Sequence, residues 1–270
     1  LQIARNLDRH LLSQDNSNVW VNTESTKQNY RSNFYRPYKQ SLTMTQIGVA
    51  NNVNDNVRVG AVLSHSRANN TFAENVSGKN RLTALSTYVK GNWNNGIFAS
   101  LDLGYGRSRN TIDFDGKNNV FHRSLFSAGV NAGIQWDWGV NVQPSIGVRY
   151  NRLSKANYHL AEAKVENKAL NLMTYRVGLA LSKTFDVAGV KLTPSVASYY
   201  NDATQRKMAV NGALSVNNIG MQQQFGRYFN HEAGLAAQFN QWQVSAQVGM
   251  LKGSDITTQK YAAFKLGYTW

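Results

Sequence analysis

Segment after segment of the chain alternates apolar and polar residues with period two, as β-strands with two unlike faces do. From Ile97 to Tyr105 one face carries Ile97, Ala99, Leu101, Leu103 and Tyr105, and the other Ser100, Asp102 and Gly104. Phe126, Ala128, Val130, Ala132, Ile134, Trp136 and Trp138 oppose Ser127, Gly129, Asn131, Gly133, Gln135 and Asp137. Trp242, Val244, Ala246, Val248 and Met250 oppose Gln243, Ser245, Gln247 and Gly249. The pattern predicts about twelve strands, several longer than the five or six residues usual in soluble sheets. They span 18–30, 39–50, 56–69, 80–93, 96–112, 119–138, 140–155, 170–184, 188–203, 224–239, 241–253 and 258–270. Only at 80–93 is the outward face ambiguous.

The connections alternate as well. Tight turns are expected at Asn51–Asp55, Trp93–Gly96, Asp137–Gly139, Asp186–Gly189 and Asn240. Longer polar loops fall at 31–38, 70–79, 113–118, 156–169, 204–223 and 254–257. Short turns at one end, long loops at the other and an even strand count predict an all-β transmembrane barrel of antiparallel strands. Trp20, Trp93, Trp136, Trp138, Trp242 and Trp270 all fall at strand ends on the short-turn side. Tyr30, Tyr105, Tyr150, Tyr200 and Tyr228 lie towards the other end. Two aromatic girdles are expected where a barrel meets the two membrane interfaces.

Composition changes the picture only in part. The 270 residues include 29 basic and 15 acidic side chains, for a net charge of +14, and no cysteine. Disulfide frameworks, thiolate metal sites and cysteine nucleophiles are therefore excluded. No run approaches the roughly 18 apolar residues of a membrane helix. The mean hydropathy of −0.44 fits a barrel, where only alternate strand residues meet lipid. A pI near 10.0 taken alone points to nucleic acid. The basic residues are instead spread over loops and inward positions, without aromatic platforms, so no nucleic-acid partner is predicted. Leu1 is not an initiator methionine, and the chain reads as part of a longer one.

Inward parity collects Glu24, Arg58, Asp102, Arg149, Arg176, Lys191 and Glu232, charges that a wet lumen tolerates and lipid does not. It also collects glycines, among them Gly48, Gly60, Gly104, Gly129, Gly133, Gly178 and Gly249, which suggests that something sits close to the wall. Upstream, LQIARNLDRHLLSQ has good helix formers with apolar residues near the 3.6 period. A helix this short needs a packing partner. The expectation is an N-terminal α-helix inside the lumen, with Arg5, Asp8 and Arg9 meeting the wall charges, so that 1–17 is pore helix and linker and 18–270 the barrel.

Arg107, Arg109 and Arg152 share outward parity beyond the apolar band at the long-loop end, where lipopolysaccharide phosphates would lie. The last strand places Phe264, Leu266, Tyr268 and Trp270 on one face and ends on the aromatic, similar to the signature read by the barrel assembly machinery. The chain itself is not expected to be an enzyme. Its five histidines are dispersed, and Ser64–His65–Ser66 alternates between faces. Glu232 and Asp102 read as inward ion-pair partners, and no metal or cofactor is predicted.

A helix followed by such strands and a terminal aromatic resembles the translocator domain of a monomeric autotransporter. LDRHLLSQDNSNVW (7–20), QIGVANNV (46–53), RVGAVLSHSRANNTF (58–72), FGRYFNHEAGL (225–235) and KLGYTW (265–270) resemble the IgA1-specific serine protease family and its relative, the adhesion-and-penetration protein. The resemblance implies type V secretion, in which an N-terminal serine-protease passenger is exported and a monomeric barrel stays in the Gram-negative outer membrane. It implies that the helix is the tail of the translocated chain. Related enterobacterial members cut themselves at paired asparagines in that helix. Here only Asn6 is present, between Arg5 and Leu7, so release by the passenger's protease upstream of Leu1 is expected instead. Two alternatives stay open on the residues: a diffusive porin with a mobile or absent helix, and an adhesion barrel acting through loops 156–169 and 204–223.

Overall fold

The computed structural model describes residues 2–30, 38–72, 77–114, 116–160, 163–204, 207–214, 217–224, 226–253 and 256–270. One helix, α1 (Gln2–Leu12), precedes a closed barrel of twelve long strands. The strands are β1 (Val19–Tyr30), β2 (Tyr38–Asn52), β3 (Val57–Phe72), β4 (Ser77–Asn92), β5 (Ile97–Phe114) and β6 (Lys117–Ile134). They continue as β7 (Asn141–Leu153), β8 (Leu170–Ser182), β9 (Val190–Ala203), β10 (Tyr228–Phe239), β11 (Trp242–Lys252) and β12 (Gln259–Tyr268). Each pairs antiparallel with its neighbour, and β12 returns to β1 from Val19↔Tyr268 to Gln28↔Gln259. Closure pairs each of the twelve barrel strands on both sides, as a lipid environment requires.

Alternation sorts the side chains. Leu63, Leu85, Leu103, Tyr105, Val130, Ile146, Val177, Val248 and Phe264 face outwards and are exposed, whereas the buried side chains fill the interior. The ambiguity at 80–93 has a physical cause. Its odd residues Leu85, Thr87 and Val89 face out, while Ala84 and Tyr88 are buried inside with the helix, so both faces carry apolar residues.

The turns at the short end are tight. Ala188 and Gly189 join Val187↔Val190 with φ of 52° and 83°, and Asn240, at φ 50°, lies between the paired Phe239 and Trp242. Positive φ at such positions matches the right-handed twist of the flanking strands.

Four expectations are corrected. Trp20 is not part of an outer girdle: it points inwards and is 1% exposed, whereas Trp93, Trp136, Trp138, Trp242 and Trp270 are exposed. Parity decides this, because Trp20 shares a face with Asn18, Asn22 and Glu24. The loops at 156–169 and 204–223 are not structureless. Ala156–Leu160, Ala163–Asn167, Lys207–Leu214 and Asn217–Gln224 form two hairpins that pair with each other between 164–167 and 210–213. The strand read as 119–138 breaks at Gln135, whose N–H goes to the Gly96 carbonyl at 2.9 Å. Lys191 is exposed at the short-turn rim rather than enclosed. Loop residues 31–37, 73–76 and 254–255 lie outside the described residues.

Candidate functional site

The lumen is filled by α1, and three faces of the helix meet three kinds of wall. Spacing of four residues stacks side chains on one face of a helix. Ile3, Leu7 and Leu11 form the apolar face: Ile3 packs with Met44 and Ala84, and Leu7 and Leu11 with Trp20, Ala50, Val62 and Tyr88. Leu12 packs with Phe98 and Tyr199 nearer the short-turn end. These residues make the helix stable where its isolated sequence would not be, since burying each leucine is worth roughly 1.5–3 kcal/mol.

Arg5 and Arg9 form a second face. Both pair with Glu24, Arg9 at 3.0 Å, and Arg9 also reaches Glu232 at 3.1 Å. Asn6 donates to Glu24 at 2.9 Å and accepts from Asn22 at 3.0 Å and Arg9 at 2.8 Å. Tyr261 lies beneath both guanidiniums, at 4.3 and 4.8 Å from its ring centre, and donates its hydroxyl to Glu232 at 2.5 Å. The third face carries Asp8. Arg149 binds it at 2.6 and 3.1 Å and bridges to Asp102 at 2.7 and 2.8 Å, Arg176 approaches it at 3.3 Å, and Asn131 donates at 3.1 Å. The carboxylates of Glu24, Glu232, Asp8 and Asp102 each face a guanidinium, which is what enclosed charges need, although Nε of Arg5 and of Arg176 is left without a hydrogen-bond partner.

A fourth cluster holds the lower end of the helix. Ser13 bonds back to Arg9 and His10, while Gln143 donates to the Leu12 carbonyl at 2.7 Å and Lys90 to the Ser13 carbonyl at 2.5 Å. The free carbonyls of a helix C-terminus are thereby satisfied, one of them by a cation that also suits the helix dipole. Lys265 pairs with Asp15 and donates to His10 Nδ1 at 2.6 Å, leaving Nε2 facing the Tyr88 hydroxyl at 3.1 Å. Arg58 donates to the Ser17 carbonyl at 2.5 Å.

Six of the seven expected wall charges, all but Lys191, thus face inwards, and of these all but Arg58 make ion pairs in the clusters around α1; Arg58 holds the linker instead. Sequence reasoning missed Lys90, Lys265, Asp15 and His10. For Lys265 the signal was available, because it alternates with Phe264 and Leu266, whereas Lys90 lies in the strand whose parity was ambiguous. Of the inward glycines, Gly48, Gly60, Gly133, Gly178 and Gly249 make room for aromatic residues of the neighbouring strand, whereas Gly104 faces Ser86 and Gly129 faces Arg149 and Asp102. Trp20↔Gly48, Tyr88↔Gly60, Phe98↔Gly133, Tyr199↔Gly178 and Tyr261↔Gly249 are direct cross-strand pairs. A Cβ on any of these glycines would collide with the ring opposite. Trp20, Tyr88, Phe98, Tyr199 and Tyr261 then line the lumen where α1 packs.

The outward arginines Arg107, Arg109 and Arg152 are exposed. At the chain's end Phe264 and Leu266 face outwards, while Trp242, Tyr268 and Trp270 gather with ring centres 4.9 and 6.4 Å apart. The Trp270 backbone N–H binds Asn18 at 3.1 Å, tying the terminus to the linker below α1.

A closed barrel with an apolar exterior, aromatic residues at its ends and a lumen packed with charge defines an outer-membrane β-barrel protein of a Gram-negative bacterium. The family model described as autotransporter beta-domain matches residues 19–249, and the chain belongs to that family. It is 34% identical over 266 residues to an adhesion and penetration protein autotransporter of Haemophilus influenzae, covering 98% of this chain and 18% of that one. It is 29% identical over 282 residues to an immunoglobulin A1 protease autotransporter of the same species, covering 100% of this chain and 14% of that one. The chain therefore spans less than a fifth of the length of these relatives. Its fold is shared with the beta domain of the Bordetella autotransporter BrkA (TM-score 0.73, 18% identity, 95% and 100% of the two chains). The translocator domain of the autotransporter NalP from Neisseria meningitidis is similar too (TM-score 0.72, 15% identity, 99% and 96%). The β-domain itself is a non-catalytic fold.

Proposed function

We propose that this chain is the translocator of a type V secretion protein: it anchors in the outer membrane and exports its own N-terminal passenger, a serine protease, to the cell surface. The observation that carries this reading is the direction of the chain through the lumen. Ile3 packs against Met44 and Ala84, well inside β2 and β4, whereas Leu12 packs against Phe98 at the short-turn end of β5. The chain thus descends from the long-loop side and enters β1 at the short-turn end. A polypeptide already exported would leave its tail in this orientation. The names of the relatives, an IgA1 protease among them, supply the protease reading.

On this reading residues 1–17 are pore helix and linker and 18–270 the membrane anchor. Release of the passenger occurs upstream of Leu1 by its own protease activity. Phe264, Leu266, Tyr268 and Trp270 are the signal for the barrel assembly machinery, and the barrel works as a monomer in a leaflet containing lipopolysaccharide. The docked helix argues against a diffusive porin, whose lumen must stay open.

Single-channel recording tests the plug. The intact chain is expected to pass little current, and deletion of residues 2–12 to raise conductance severalfold while the folded barrel persists. Fusion of a reporter ahead of Leu1 tests export: the reporter should become accessible to external protease in intact cells. A reporter retained in the periplasm beside a correctly folded barrel would overturn the translocator reading.

A further inference from the structure

The outward face of β3 to β6 carries a feature that the lumen does not explain. Reading upwards towards the long loops, the paired rows change character within two steps. Leu63, Leu85, Tyr105 and Phe126 lie opposite one another as an apolar row. Next come His65, Thr83, Arg107 and Ser124, and then Arg67, Arg81, Arg109 and His122. Lys79 follows, beside Asn69 and Thr111. Neighbouring strands are about 4.8 Å apart, so the three arginines of the upper row stand within ~10 Å across the sheet.

Like charges directly opposite each other weaken a sheet. Neither an ion pair nor a hydrogen bond to an acid engages Arg67, Arg81, Arg107 or Arg109 among the described residues. The outward carboxylate of these strands is Asp113, four residues beyond Arg109 on β5, or ~13 Å along the strand. One member is held in position. Arg67 donates its Nε to His65 Nε2 at 3.2 Å, and His65 Nδ1 meets Thr83 Oγ1 at 3.0 Å, which leaves the terminal guanidinium nitrogens pointing away from these partners.

We propose that this patch is a binding site for a lipid of the outer leaflet whose headgroup bears at least two phosphates, the chemistry of lipopolysaccharide. The rows set the depth. Acyl chains lie along Leu63, Leu85, Tyr105 and Phe126, and the phosphates sit at Arg107 and the row of Arg67, Arg81 and Arg109. Guanidinium forks bind phosphate oxygens in pairs, and the anion removes the repulsion within the row. Of the three arginines singled out by parity, Arg107 and Arg109 belong to this site. Arg152 stands opposite Phe126, two strands from β5, and is outside it. The site does not depend on what the lumen carries.

The test compares thermal unfolding of the chain in bilayers of uncharged phospholipid, with added phosphatidylglycerol, and with lipid A bearing two, one or no phosphates. The wild type is expected to gain most from the diphosphorylated lipid and least from the dephosphorylated one. R67Q/R81Q/R109Q should lose most of that gain, yet be at least as stable as wild type in uncharged phospholipid. K27Q/K260Q, which removes another outward pair of like charges, should keep it. Equal gains from phosphatidylglycerol or from dephosphorylated lipid A, or a triple variant that retains the gain, would overturn the proposal. If the triple variant does not fold, the wild-type phosphate series and the single R81Q variant decide.

Discussion

Glu24 shows how much one side chain can organise. It is fully buried, accepts from Arg5, Arg9, Asn6 and Thr26, and forms the junction between α1 and the first strand of the wall. Enclosed ion pairs add little over a well-packed apolar alternative, but removing one partner leaves a charge stranded. Glu24→Gln should therefore cost about 3–5 kcal/mol in docking of the helix, less where Glu232 still serves Arg9. The cost should appear as a lower unfolding midpoint and a larger open-state conductance. Restoring neutrality with Arg5→Gln in the same chain should recover part of it, which a double-mutant cycle measures. The sign and place of Glu24 were legible from parity alone. Its partners were not, because Arg5 and Arg9 reach it only after the strands close around the helix.

Among elements, the pairs of aromatic and glycine across neighbouring strands do the shaping. A ring such as Tyr261 can lie along the wall only because Gly249 opposite has no Cβ. Gly249→Ala should push Tyr261 from its place beneath Arg5 and Arg9 and cost about 1–3 kcal/mol, as overpacking does. Thermal unfolding checks the cost, and Tyr261→Ala combined with Gly249→Ala should relieve the clash. Inward glycines were visible in the sequence, but which neighbour each makes room for depends on register, and a slip of one residue would reverse every face. The hairpins at 156–167 and 207–224 were illegible for a similar reason. Their partners are each other, across more than forty residues of chain.

At the level of the whole molecule, the plug is fastened at the seam where the barrel closes. Lys265 on the last strand holds Asp15 of the linker, and Asn18 receives the N–H of Trp270 and donates its own backbone N–H to Tyr268. Burial by itself would raise the Asp15 carboxyl above its ordinary 3.8, but the ammonium of Lys265 holds it well below. A depressed carboxylate contributes stability that is complete above its unfolded value and is lost as pH falls through the folded one. The linker should consequently stay fastened from neutral pH down to about 4 and loosen only in stronger acid. Asp15→Asn should weaken it at pH 7 and flatten the acid limb, read as channel opening against pH. Lys90 and Arg58 hold the carbonyls of Ser13 and Ser17 beside it, contacts that do not pass through Asp15.

Period-two alternation, unequal connections and a terminal aromatic were enough to define a membrane barrel of this kind, because lipid forces every second strand residue to be apolar and every backbone group to be paired. A short helix with mixed charges pointed to the lumen for the same reason: nothing else would cover it. Closure decided the rest. The alignment of twelve strands determines which inward charges face one another, turns Trp20 from a presumed membrane anchor into helix packing, and brings Arg67 and Arg81 beside Arg109 on the outer surface. Each of these is a relation between residues distant in the chain, created by register, and no local pattern carries it.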